Sequence, residues 1–239
     1  MPEANGLIVG QGSMGICGFA SMLQLMLQDG KSISAYSDND NETKDGTAAK
    51  KLAKKWISDT EHGSKKIPEV VDGAYPSKTD TIDAWSASTV AIAFTGTFLS
   101  LAPYNDTTVD QFLDANTVNG GGGLAMRAEC IAHLGKSLGG YSSATYHVTN
   151  VVSSEDDGRY SLTKDMCDGT DGTSSTVANS IVGITVSGKE LLHWVFVDKN
   201  GFLYTWDKSG ADAWQKLNDF TDTNIGSNMT DVVVRVSFS

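Results

Sequence analysis

Helical periodicity recurs in this chain up to about Leu138, and strand-like runs follow from Ser180 onward. Apolar residues at Ile16, Phe19, Ala20, Leu23, Met26 and Leu27 keep the i, i+3, i+4, i+7 spacing that buries one stripe of a helix, and Gly30 is placed to cap it. Thr47 to Asp59 reads as a basic amphipathic helix, with Lys50, Lys51, Lys54 and Lys55 set against Leu52, Trp56 and Ile57. Asp106 to Leu113 reads as a short helix capped by Asn105 or Asp106, and Leu124 to Leu138 as a longer one burying Leu124, Met126, Ile131 and Leu134. Then the pattern changes. Ser180–Val186, Leu191–Val197, Phe202–Trp206 and Asp231–Phe238 all read as strands. Helices followed by hairpin-connected strands predict an α+β fold, in which the N-terminal helix packs on a C-terminal antiparallel sheet. The chain reads as one domain over 1–239, with a helical half at about 1–150 and a β half at about 178–239.

Composition removes several classes of function. Apolar residues are 40% and charged residues 20%, which suits a folded domain. Asp and Glu number 29 against 18 Lys and Arg, a formal charge of −11, which argues against nucleic acid as a partner. The longest apolar stretch, Val90 to Pro103, is broken by Thr95, Gly96, Thr97 and Ser100. It reads as a buried helix or strand pair and not as a membrane span. Met1 to Asn5 lacks a basic region followed by an apolar run, so no Sec-type signal peptide is expected.

No cofactor or metal is expected either. Asn119 to Gly123 is Gly-rich, but no Gly-Lys-Ser/Thr follows it as a phosphate loop needs. Residues 36–46 read as a solvated polar loop. Asp38, Asp40 and Glu42 alternate there as calcium ligands do, yet Thr43 stands where an EF-hand loop needs Gly. The lysine face of 47–59 reads as a solvated face, with an acidic partner or a membrane surface as the alternative. The cysteines, Cys17, Cys130 and Cys167, form no CxxC pair, so a zinc site is not expected. A Cys130–Cys167 disulfide stays open, and Cys17 is then left over.

Cys17 sits where the first helix begins. Free N–H groups and the positive end of the helix dipole stabilise a thiolate there, the form that acts as a nucleophile. A small buried structural cysteine is the alternative. His193 lies in the strand Leu191–Val197, and Asp198-Lys199-Asn200-Gly201 fits a three-residue hairpin loop. In that register Asp198 opposes Phe202, and counting back along the ladder sets His193 opposite Asp207. Opposed residues share a sheet face with Cβ atoms roughly 5 Å apart, so a carboxylate at 207 can orient the imidazole. His62, His133 and His147 are rival bases without a paired acid, and Asp198 and Asn200 are rival acids at the turn tip. Gln11, six residues before Cys17, can offer an amide N–H to an oxyanion, together with the Cys17 backbone N–H.

The segment Gln11-Gly12-Ser13-Met14-Gly15-Ile16-Cys17-Gly18 resembles the oxyanion-glutamine to nucleophile segment of papain-like cysteine proteases, written Gln-Gly-x-x-Gly-x-Cys. His193, followed after a hairpin by a polar residue on the next strand, is similar to the family's second half. The resemblance covers two separated pieces, in the family's order of Cys, His, then acid or amide. It implies a papain-like fold with Cys17 as nucleophile, His193 as base, Gln11 as oxyanion donor and Asp207 as third member. Gly18 after the nucleophile, and Asp in place of Asn, look closer to bacterial branches of the superfamily. Trp194 and Trp206 are candidates for the cleft walls, with core packing as their ordinary role.

The function implied is cleavage of an amide bond in a protein or peptide substrate, by a protease acting as a secreted bacterial effector or toxin. Export by a specialised secretion system and an immunity or inhibitor protein as partner belong to that expectation. A glutamine deamidase or peptidoglycan amidase with the same triad is the alternative within enzymes, although an anionic wall suits a −11 chain poorly. A non-catalytic binding module in which Cys17 is structural is the alternative outside them.

Overall fold

The computed structural model describes residues 8–10, 16–59, 93–94, 106, 108–114, 124–125, 128–148, 151–153, 160–162, 179–186, 191–199, 202–204, 214–216, 221–222 and 227–239. Its helices are α1 (Cys17–Gln28), α2 (Asp40–Lys44), α3 (Thr47–Asp59), α4 (Val109–Asp114) and α5 (Ala128–Ser137). The long strands are those of the C-terminal part, so the mixture is α+β with the sheet coming last, as the element order predicts.

α1 ends in a Schellman turn. Gly30 takes φ +71, its N–H donates to the Leu27 carbonyl at 3.1 Å, and the Lys31 N–H reaches the Met26 carbonyl at 2.8 Å. α3 spans the predicted residues. Two other expectations need correction. The polar stretch 36–46 is not all loop. Asn39 is extended and its side chain accepts from the N–H groups of Asn41 and Glu42, and this cap starts the one-turn helix α2. In α4 the cap falls on Thr108: its hydroxyl accepts from the Gln111 N–H at 3.2 Å while the Gln111 side chain accepts from the Thr108 N–H at 2.9 Å. That reciprocal pair is a capping box, which Asn105 and Asp106 cannot form at their spacing.

Leu124 does not begin a helix. Leu124–Ala125 is a short strand, β2, antiparallel to β1 (Ala93–Phe94), and helix α5 begins at Ala128. The described part of the apolar stretch 90–103 is therefore half of a strand pair. No helix among the described residues is long and apolar enough to cross a membrane.

Among the described residues the main sheet has seven antiparallel strands. β3 (Ala144–Val148) and β10 (Thr221–Asp222) both pair with the long strand β11 (Ser227–Phe238). Beyond β11 come β6 (Ser180–Val186), β7 (Leu191–Val197), β8 (Phe202–Tyr204) and β9 (Trp214–Lys216). A separate hairpin joins β4 (Val151–Ser153) to β5 (Tyr160–Leu162).

Register builds the core. Val236 pairs with Ile181, Ile181 with Phe196, and Phe196 with Tyr204, so four strands line up four apolar groups in one row. All four belong to the same buried cluster as Phe19, Met22, Leu23 and Met26 of α1. Burying each large side chain contributes about 1.5–3 kcal/mol, so this helix-on-sheet layer holds the two halves together. Val195 and Val197 alternate with Trp194 and Phe196 and are buried too, so both faces of β7 are covered there. Phe19 stacks edge-on with Trp56 of α3 at 5.8 Å, which ties the helices into the same core.

Candidate functional site

The site forms where the first residue of α1 meets β7. Ile16 precedes the helix at φ −115 and ψ 36, and its carbonyl accepts from the N–H groups of Phe19 and Ala20, both at 3.1 Å. No side chain caps this end and no acidic residue lies in its first turn. The amides of Cys17 and Gly18 therefore face the Cys17 sulfur without a competing carboxylate on the helix itself.

Cys17 Sγ accepts the backbone N–H of Trp194 at 3.4 Å. One turn further along α1, the Ser21 hydroxyl donates to the Trp194 carbonyl at 3.1 Å. Both ends of one β7 residue are thus held by α1, and His193 precedes that residue directly. The β6–β7 ladder changes register beside it: Ile184 pairs with His193, and Thr185 with Leu191, so Leu192 is an extra residue. Such a bulge bends a strand and re-aims its side chains, and bulges are over-represented next to active sites.

Only 8% of Cys17 is exposed. Burial pushes its thiol up to about 11, against the smaller opposite pull of the Trp194, Gly18 and Cys17 amides. The helix terminus does favour the thiolate as its position suggests, but desolvation outweighs it. A thiol held there needs a base before it can attack.

The chain leading into Cys17 is anchored. Gln24 Oε1 accepts the Val9 N–H at 2.9 Å, and the Gly10 N–H donates to the Thr43 carbonyl at 2.9 Å. A Cβ on Gly10 would lie 1.9 Å from the Lys44 carbonyl oxygen, so only glycine lets the chain run this close to the end of α2. Gln11 follows this anchored point, and Gln11 itself lies outside the described residues.

The hairpin runs in the expected register where it is described: Phe196 faces Tyr204 and Val197 faces Leu203. Asp207, Trp206 and Asn200 lie outside the described residues, as do His62 and Cys167. For His193 the backbone is placed by its pairing with Ile184. Trp194 is 2% exposed and belongs to the core cluster, its ordinary role.

The rivals that are described fall elsewhere. His133 Nδ1 accepts the Trp56 indole N–H at 3.1 Å, and burial, with Lys136 adding to it, lowers its pKa. His147, on β3, pairs with Arg235 of β11, and β11 and β6 separate β3 from β7. Asp198 is buried at the far end of β7, five residues from His193, or about 16 Å of strand, and its carbonyl accepts the Asn179 N–H. Cys130 is buried on α5.

Among the described residues, no group of three His, Cys, Asp or Glu side chains is arranged to hold a metal ion. Glu42 is engaged by the Asp38 N–H at 2.9 Å and by Lys51 at 2.8 Å, which together hold its carboxyl below the usual range. Lys51 also bonds Asp38, and Lys54 bonds Asp114 at 2.7 Å. Much of the basic face of α3 therefore meets this chain's own acids.

No motif in the sequence marks Ser21 or Gln24. The signal for both lies in α1, whose residues are buried from Cys17 through Met26. A polar side chain on a helix buried all round has to find a partner. Compared with protein-family models, with curated proteins and with solved structures, the chain matches none at a significant level.

Proposed function

We propose that this chain is a papain-like cysteine hydrolase that cleaves an amide bond in a protein or peptide. The supporting observation is the 3.4 Å contact between Cys17 Sγ and the Trp194 N–H, which brings a buried thiol at a helix start against the strand position next to a histidine. Those are the two partners that nucleophilic acyl transfer requires.

In this reading Cys17 Sγ attacks the substrate carbonyl carbon while His193 takes the thiol proton. The C–S bond forms and the carbonyl π pair becomes the oxyanion, held by the Cys17 N–H and the Gln11 amide. The oxyanion collapses, the C–N bond breaks, and His193 returns its proton to the leaving amine. Water, deprotonated by His193, then releases the acyl group from sulfur. Asp207 holds the imidazole in its working tautomer and stabilises the imidazolium. Burial makes the base indispensable, because a thiol titrating near 11 supplies almost no thiolate at neutral pH.

The role as a secreted bacterial effector or toxin rests on the resemblance and on the composition. The activity is tested with a peptide library read by mass spectrometry, using wild type and Cys17→Ala. Cleaved peptides with wild type alone support a protease. A one-dalton gain at glutamine without cleavage points to the deamidase. No wild-type product at all, on peptides or peptidoglycan, favours the binding module.

A further inference from the structure

We infer that Ser21 is a positioning residue that sets the strand bearing His193 against Cys17; this rests on the hydrolase reading. Ser21 is 6% exposed in the middle of an apolar helix, where an alanine would pack and propagate helix better. A buried serine on a helix ordinarily returns its hydroxyl to the carbonyl one turn back. Here it donates instead to the Trp194 carbonyl at 3.1 Å, across 173 positions of sequence.

Cys17 and Ser21 stand one turn apart, with about 6 Å of rise between them. One takes the N–H of Trp194 and the other binds its C=O. A single hydrogen bond lets a strand pivot about the contact. Two, at the two ends of one residue, fix both its position along the helix and its rotation. The His193 Cα is only about 3.8 Å from that of Trp194, so it is fixed with it. The Ser21 hydroxyl touches no reacting atom in this arrangement; it acts through Trp194. Small displacements of a base from its nucleophile are costly, about 100-fold in rate for about 1 Å.

The test is the rate of Cys17 alkylation by chloroacetamide from about pH 5 to about pH 11, read by peptide mass spectrometry, in wild type, His193→Ala, Ser21→Ala and Ser21→Thr. Thermal unfolding checks the fold of each. Ser21→Ala is expected to stay folded, to react about 10- to 100-fold more slowly at neutral pH, and to shift its profile toward that of His193→Ala. Ser21→Thr, which keeps the hydroxyl, is expected to restore rate and profile. A wild-type profile in folded Ser21→Ala, with His193→Ala still altered, overturns the positioning role alone. Identical profiles in wild type and His193→Ala overturn the hydrolase reading, and this inference with it. Should Ser21→Ala not fold, Ser21→Val replaces it as the hydroxyl-free match to Thr. If both hydroxyl-free variants fail to fold while Ser21→Thr folds, Ser21 is structural and the inference fails.

Discussion

The amide N–H of Trp194 donates to Cys17 Sγ over 3.4 Å, which joins the first turn of α1 to the strand that carries His193. These residues are 177 positions apart in the chain, and the contact comes from how α1 lies on the sheet. Phe19, Leu23 and Met26 of the helix and Trp194 and Phe196 of β7 share one core, so the contact stands on a rigid layer.

That layer makes Phe196 a stability hinge for the site. It is 1% exposed, pairs with Ile181 and Tyr204, and lies 5.4 Å from the Tyr204 ring. Phe196→Ala is expected to cost about 3–5 kcal/mol by chemical denaturation, and Phe196→Leu distinctly less. Equal, small losses in both variants would mean that the row across the four strands does not hold α1.

The lead-in at Val9 and Gly10 is expected to matter for reactivity as well as stability. Gly10→Ala drives a Cβ against the backbone oxygen of Lys44, which cannot rotate away, and should cost at least about 1–3 kcal/mol. Gln24→Leu leaves the buried Val9 N–H without its side-chain acceptor, at a cost of about 1–3 kcal/mol. Both variants should slow Cys17 alkylation, because both release the anchor that precedes Cys17 in the chain. Unchanged alkylation in folded variants would separate this anchor from the site.

His133 predicts a pH dependence of stability. Burial, aided by Lys136, depresses its folded-state pKa below the ordinary 6.5. The unfolded chain therefore binds the proton more tightly. The stability this histidine contributes is complete above about pH 6.5 and is lost as pH falls from there through the folded-state value. His133→Asn keeps an acceptor in place of Nδ1 for the Trp56 indole. It is expected to flatten the melting temperature against pH in the acid range. An unchanged slope would assign the acid sensitivity to other groups.

Much of this architecture was legible in the residues. The stripe from Ile16 to Leu27 marked α1, and the short apolar run Leu191–Val197, followed by its turn, marked β7 together with its hairpin register. The helix at 47–59 was readable because its lysines and its apolar residues separate cleanly around one turn. Less visible was anything decided by a single hydrogen bond or by a distant strand. The cap that turns 40–44 into a helix is one Asn39 side chain, and Leu124 is a strand because Ala93–Phe94 lies beside it. In the site, periodicity foretold that α1 would lie on the sheet but not which β7 residue would meet Cys17. Nor did it foretell that burial would outweigh the helix terminus at the thiol. Both depend on packing depth, which one-dimensional pattern does not encode.

The most direct measurement is the pH dependence of Cys17 alkylation in wild type and in His193→Ala. With the base removed, nothing takes the thiol proton, and the desolvation that raises Cys17 should confine its reaction to the alkaline range. With His193 present, alkylation near neutral pH is predicted to run well above that of His193→Ala, because the imidazole takes the thiol proton as the sulfur reacts. Two superimposable profiles, both rising only toward 11, would contradict the Cys–His pair and with it the proposed hydrolase.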